Sequence, residues 1–212
     1  MHKSRLIIKL NAKFEQTFTK EQEAMEKPEN RNKPIIFDDR SLEEVLKLVN
    51  IIEFLAHNQL NLALLSKYKC HQKLFDGLVF YSKYFGMMDK SKLSKEQLGI
   101  QKRLILSLMK CLTVCFRSYE NIELFLSSKK KAGNVKKLTS IVEDHMNDED
   151  IALHWLLLLH QLLCDDIDIY TLISHQIPLE GLSKLLDDIQ EVHMASDENS
   201  SIAVFCEVIW CH

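Results

Sequence analysis

The segment from Asp148 to Asp166, DEDIALHWLLLLHQLLCDD, constrains the fold of this chain more than any other stretch. It is acidic at both ends, and between Ile151 and Leu163 its only polar residues are His154, His160 and Gln161. A helix that buries a single stripe keeps a polar face, and this segment has almost none. We therefore expect a helix that other helices cover on most sides.

The composition favours long helices in a soluble protein. The 212 residues include only five glycines and three prolines, whereas sheet proteins need many tight turns. The net charge is -3 with both signs interleaved, which disfavours a nucleic-acid surface. The apolar runs are far shorter than the ~20 residues of a membrane span, and no signal-like segment follows Met1. The six cysteines are interpreted as free thiols of a reducing compartment. We predict an intracellular protein, cytoplasmic or nuclear, that does not enter a membrane.

Helical periodicity predicts an N-terminal amphipathic helix, a linker and a helical repeat domain. Residues 1–27 carry apolar residues at helical spacing, and Pro28 ends this helix. The helix either caps the following array or binds a partner. Residues 28–40 form a polar linker, and residues 41–212 form the repeat domain.

Two capping boxes are predicted at helix starts in the repeat domain. Ser41 with Glu44 opens one helix, and Ser94 with Gln97 opens a longer helix that extends to about Arg117. In each pair the hydroxyl accepts from an amide while the longer side chain reaches back to the first residue.

The predicted helices of the repeat domain follow a recurring order of short, medium and long. The short helices lie in three similar segments: QLNLALLSK (59–67), ENIELFLSS (120–128) and DIDIYTLIS (166–174). The last two units repeat at about 47 residues, and the first is about a dozen residues longer. The predicted units are residues 59–117, 118–165 and 166–212, approximately.

The joints that lead into the medium helices carry a family resemblance. The segments at these joints are GNVKKLTSIV (133–142) and IPLEGLSKLLD (177–187). On the basis of these joints, residues 41–212 resemble the armadillo repeat family, which has three helices per unit. HEAT-like arrays give a similar pattern. The resemblance implies an all-α fold: a short right-handed armadillo-like solenoid of about three three-helix units, preceded by the N-terminal helix.

The same resemblance implies a protein-interaction function. The chain is expected to be a non-catalytic scaffold subunit that binds a partner peptide or helix along the solenoid groove. The alternative is a regulator of a partner enzyme, such as a nucleotide-exchange factor for a chaperone ATPase or a small GTPase. Peptide-holding armadillo arrays line the groove with Trp and Asn one turn apart, but here Leu159 follows Trp155. We therefore expect apolar and aromatic groove contacts.

Neither an active site nor a cofactor or metal site is predicted. Cys111 with Cys115, and His160 with Cys164, could each supply two metal ligands, but a structural site needs four. Cys70 and His71 are adjacent, so on a helix they do not face each other as a catalytic pair must. The acidic pairs fit helix ends and solvated faces.

The predicted partner-binding residues are His154, Leu158 and Gln161. His154 and Gln161 are seven residues apart and share a helix face with Leu158, one turn from each. The hypothesis is that this face lines the groove, because it carries polar positions on an otherwise apolar helix.

The last residues, IAVFCEVIWCH (202–212), are apolar up to His212. The final unit of a solenoid needs a polar outer face. The sequence therefore predicts that the natural chain continues past His212 or that this end pairs with another copy.

Overall fold

A computed structural model describes residues 2–26, 37–127, 133–163, 173 and 179–194, and these residues are almost entirely helical. The helices are α1 (His2–Glu26), α2 (Asp39–Ala56), α3 (Gln59–Lys67), α4 (Cys70–Met87), α5 (Lys95–Cys115), α6 (Tyr119–Leu126), α7 (Asn134–Glu143), α8 (Glu149–Leu162) and α9 (Leu179–Met194). A 3-10 turn, Lys90–Lys92, lies between α4 and α5. No strand occurs in these ranges, so the predicted all-α class is confirmed.

Some predicted segments lie outside the described residues. These are most of the linker 28–40, most of the short helix at 167–175 and the last helix at 201–212. Asp39 and Arg40, predicted to end the linker, already belong to α2. No helix in the part of the chain that is described is long and apolar enough to cross a membrane.

The chain divides into two compact units, Met1–Ser118 and Tyr119–His212. The first unit holds α1 to α5, and the second holds α6 to α9. The N-terminal helix α1 therefore belongs to the same compact unit as the four helices that follow it.

In the first unit, α1 lies beside α4 and runs parallel to it. Lys73 donates to Glu15, and the Tyr81 hydroxyl donates to Glu21, across separations of 58 and 60 residues. Because the later residue of α1 meets the later residue of α4, the two helices run in the same direction.

Helices α2 and α5 form a second parallel pair. At their N-terminal ends, Gln97 Nε2 donates to Asp39 Oδ1 at 3.4 Å, over 58 residues of sequence. At the other ends, Arg117 Nη1 lies 3.4 Å from His57 Nδ1, over 60 residues. In both helix pairs, the residues in contact are 58 to 60 positions apart in the sequence. The helices α1 and α2 are therefore stacked as a pair on α4 and α5.

Aromatic side chains fill the space between α1, α4 and the start of α2. Phe14 is fully buried and stacks on Phe18 with ring centroids 6.3 Å apart. Its Cζ would lie 3.2 Å from a Cβ at Gly77, so a glycine on α4 permits this close approach of α1. The other rings of the cluster are Phe37, Phe80, Tyr81, Tyr84 and Phe85.

The predicted capping box of Ser94 and Gln97 is confirmed, and the predicted capping box of Ser41 and Glu44 is wrong. Ser94 and Gln97 make both reciprocal hydrogen bonds at the start of α5, at 3.0 and 3.1 Å. Ser41 does not cap α2, because the helix begins earlier and Asp38 is its N-cap. The Ser41 hydroxyl instead donates to the Glu21 carboxylate on α1.

In the second unit, the apolar helix α8 is largely buried, as expected. Asp148 caps it by accepting from the Ile151 amide at 3.3 Å. Trp155 is fully buried, and the other buried residues are Ile151, Ala152, Leu156, Leu158, Leu159 and Leu162. In the same unit, Asn134 Nδ2 at the start of α7 donates to the Phe125 carbonyl of α6 at 2.7 Å.

Candidate functional site

The predicted surface on α8 is only partly accessible. Leu158 is 1 % exposed and belongs to the core, whereas His154 and Gln161 are half-buried. His154 Nδ1 lies 2.7 Å from the Asp150 carbonyl of its own helix. Partner binding by this face stays a prediction, and its accessible members are His154 and Gln161.

Three exposed basic residues, two on α5 and one just after it, form a line of positive charge in the first unit. The exposed Glu96 continues the same seven-residue spacing at the start of the helix. From Ile100 to Arg117 only three residues are exposed, and all three are basic: Arg103, Lys110 and Arg117. They are seven residues apart, so Arg103 and Lys110 lie on one side of α5 with a drift of about 20°. Arg117 follows in the turn after the helix. Arg103 and Lys110 make no ion pair with any described residue.

Exposed apolar side chains also lie on the neighbouring helix α2. Phe54 is 78 % exposed and Ile51 is 44 % exposed, one turn apart. His57, one turn after Phe54, approaches Arg117 at 3.4 Å, which places the C-terminal end of α2 next to the end of the basic line. We define the α2–α5 face as Ile51, Phe54, Arg103, Lys110 and Arg117.

A cleft of about 520 Å³ lies elsewhere in the first unit, where α4 ends and α2 and α5 begin. Two consecutive methionines contribute to its apolar wall, so we call it the methionine cleft. Its main lining residues are Leu42, Met87, Met88, Leu93, Gln97 and Gln101. Gln101 is only 7 % exposed, and its Nε2 lies 3.4 Å from Met88 Sδ.

A half-buried carboxylate connects three helices of the first unit. Glu21 of α1 accepts hydrogen bonds from Ser41 of α2 and Tyr81 of α4. Burial raises the pKa of Glu21, while these two hydrogen bonds oppose the shift. Burial, with the nearby Glu21 charge, also raises the pKa of the Tyr81 phenol. The partners of this carboxylate are thus structural groups that hold α1 in place.

The cysteines of the first unit are buried. Cys70 begins α4, and Cys70, Cys111 and Cys115 are at most 1 % exposed. Burial raises the pKa of the Cys70 and Cys111 thiols. Within the described ranges, no group of three or more His, Cys, Asp or Glu side chains could hold a metal ion. Cys164, considered above with His160, lies outside those ranges.

No family model, characterised protein or solved structure matches this chain. Functional conclusions therefore depend on the chemistry of the two surfaces in the first unit, the α2–α5 face and the methionine cleft.

Sequence reasoning missed both surfaces. The seven-residue spacing of Arg103, Lys110 and Arg117 was a visible signal for the α2–α5 face. This spacing indicates an exposed basic line only because most of the residues between the three cations are buried. Helical periodicity alone does not show that burial. The cleft joins residues more than 50 positions apart, such as Leu42 and Gln101, and no local pattern indicates it.

Proposed function

We propose that this chain is a non-catalytic protein-interaction module that binds an acidic amphipathic helix of a partner protein on the α2–α5 face. The observation that carries the proposal is the line of Arg103, Lys110 and Arg117 beside the exposed ring of Phe54.

Charge complementarity selects an acidic partner. Arg103 and Lys110 have no carboxylate partner in the described part of the chain, so an incoming carboxylate does not have to displace one. Complementary charges at an exposed surface speed association and fix register. Among the described residues, the guanidinium of the third cation, Arg117, lies 3.4 Å from the His57 ring and has no carboxylate within ion-pairing distance.

The exposed aromatic ring supplies the apolar anchor. Exposed phenylalanine costs free energy in water, and aromatic residues are enriched among the residues that dominate interface energies. Phe54 and Ile51 together give a partner an exposed apolar strip on α2. A ligand that satisfies both must be acidic along one edge and apolar along the other.

The spacing of the cations favours a helical ligand. Arg103 and Lys110 are seven residues apart on α5, which corresponds to about 10 Å along the helix axis, and Arg117 extends the line just beyond the end of the helix. A partner helix lying along α5 and carrying Glu at seven-residue intervals would match this repeat. Its apolar residues, one turn away, would reach the strip on α2.

The stacking in the first unit supports a repeat array as the scaffold for this surface. Equivalent helices of neighbouring repeats lie side by side, and here α1 lies beside α4 as α2 lies beside α5. In this proposal the armadillo-like array includes α1, and the α2–α5 face is part of its binding surface.

A peptide-display selection tests the function. The full chain is used to select from a library of random peptides of about 16 residues, long enough to span the basic line as a helix. The expected binders carry Asp or Glu at helical spacing with apolar residues between them. A labelled binder is then titrated by fluorescence anisotropy against variants.

The charge-reversed variant R103E/K110E/R117E should bind the selected peptide roughly tenfold more weakly or worse. The matched control K9E/K20E/K90E makes the same change in net charge at exposed lysines of the first unit that are not part of this face and should bind normally. Selected peptides without acidic character, or equal loss in both variants, would contradict the proposal. So would tighter binding of a single-stranded oligonucleotide than of any peptide.

A further inference from the structure

The methionine cleft has the size and chemistry of a small-molecule site, separate from the α2–α5 face. Its volume of about 520 Å³ lies within the range of roughly 300–1,000 Å³ that ligand pockets occupy. Its walls are mostly apolar, from Leu42, Met87, Met88 and Leu93. Methionine side chains adapt their shape to the molecule that they contact.

One buried polar side chain in this cleft has only a weak hydrogen-bond partner among the described residues. Gln101 is 93 % buried, since its exposed fraction is 7 %. Its Nε2 is directed at the Met88 thioether, at 3.4 Å, which is a weak acceptor. Its Oε1 accepts no hydrogen bond from any described residue. This oxygen is not among the fully buried polar atoms without a partner, so it is accessible. A ligand donor in the cleft would replace water at an acceptor that no described residue uses.

The charges at the cleft oppose an anionic ligand. Asp39 and Asp89 both line it, and Lys92 is the cation among the lining residues. Lys92 Nζ is already paired with Asp89 Oδ2 at 3.0 Å. The charged side chains that line the cleft therefore sum to one negative charge, that of Asp39.

We propose that the methionine cleft binds an uncharged, largely apolar small molecule that donates one hydrogen bond to Gln101 Oε1. The proposal is independent of peptide binding on the α2–α5 face.

Two related dyes test the chemistry of the site. N-phenyl-1-naphthylamine is uncharged and apolar with a single N–H donor. Its 8-sulfonate, anilinonaphthalene sulfonate, adds a negative charge to the same rings. Titrated with the wild-type chain by fluorescence, the uncharged dye should bind at one site with higher affinity than the sulfonate. Equal affinities, or tighter binding of the sulfonate, would overturn the proposal without the need for any variant.

Substitutions then locate the site. L93W places an indole in the cleft and should abolish binding of the uncharged dye. L124W makes the same change at an exposed leucine of the second unit and should leave binding intact. Q101L keeps the side-chain size but removes the acceptor and should weaken binding by about fivefold.

Circular dichroism confirms that each variant is folded, and M88W replaces L93W if L93W is not. Unchanged dye binding in a folded cleft-filling variant would overturn the proposal, as would equal binding by Q101L and wild type. A cleft variant that loses dye binding but still binds the selected peptide supports the proposal for the methionine cleft. The dye and the peptide therefore test the two proposals separately.

Discussion

The position of α1 in the first unit predicts a large cost for Phe14→Ala. Phe14 is fully buried, stacks on Phe18, and meets α4 at Gly77. Truncation of a buried phenylalanine to alanine costs about 3–5 kcal/mol, because contacts are lost and a cavity remains. For a unit of this size, each kcal/mol corresponds to roughly 4–8 °C in Tm. The melting transition of the first unit should therefore fall by at least about 12 °C.

The matched control is Phe54→Ala, the same truncation on α2 at a ring that is 78 % exposed. A surface truncation should change stability by no more than about 0.5 kcal/mol. Both variants are melted by far-UV circular dichroism, and urea titration gives the free energy of unfolding. If Phe14→Ala were as mild as Phe54→Ala, α1 would not pack in the first unit, and the stacking of α1–α2 on α4–α5 would be refuted.

Three further substitutions test individual features. Because burial raises the pKa of Glu21 above 4.5, the folded state binds this proton more tightly, and stability falls as pH rises above that value. E21Q should remove this pH dependence, so the difference in urea midpoint between the two proteins should shift towards E21Q as the pH rises above 4.5 and become constant once Glu21 is ionised in the folded state. Lys69 has a left-handed backbone with φ of 52°, so K69G should raise the urea-derived stability by roughly 1 kcal/mol, whereas a decrease would argue against strain there. Trp155 Nε1 is buried without an acceptor among the described residues, so in thermal melts W155F should cost far less than the ~3–5 kcal/mol of W155A.

The sequence was a good guide wherever the relevant partners are close along the chain. The capping box of Ser94 and Gln97 depends on residues three apart, and the structure has both of its hydrogen bonds. The burial of α8 followed from its nearly unbroken apolar run. In both cases local chemistry is sufficient to determine the structure.

Sequence reasoning failed where the partner is distant. Ser41 has the spacing of a capping residue, but its hydroxyl is used by Glu21, 20 residues earlier and on another helix. Cys70 and His71 lie at the start of α4, and the burial of both side chains there was not predictable from the sequence. Such outcomes depend on which helices pack together, and periodicity does not specify that.

The candidate site shows the same division. The α8 face was inferred from polar positions on an apolar helix, yet Leu158 in its centre is buried. On α5, the cations stand out only because the surrounding residues are covered by other helices. Whether a residue lies on an accessible surface is a property of the packed unit, so the sequence could only suggest candidates.

A charge-swap experiment tests the central claim most directly, namely that the basic line of the α2–α5 face recognises acidic residues of a partner helix. The dissociation constant of the selected acidic peptide is measured with wild type and with R103E/K110E/R117E, and both are repeated with a peptide whose acidic residues are replaced by lysine. The account predicts that the acidic peptide binds only wild type tightly and that the lysine peptide regains binding with the charge-reversed variant. A lysine peptide that binds neither protein, or an acidic peptide that binds both equally, would contradict it.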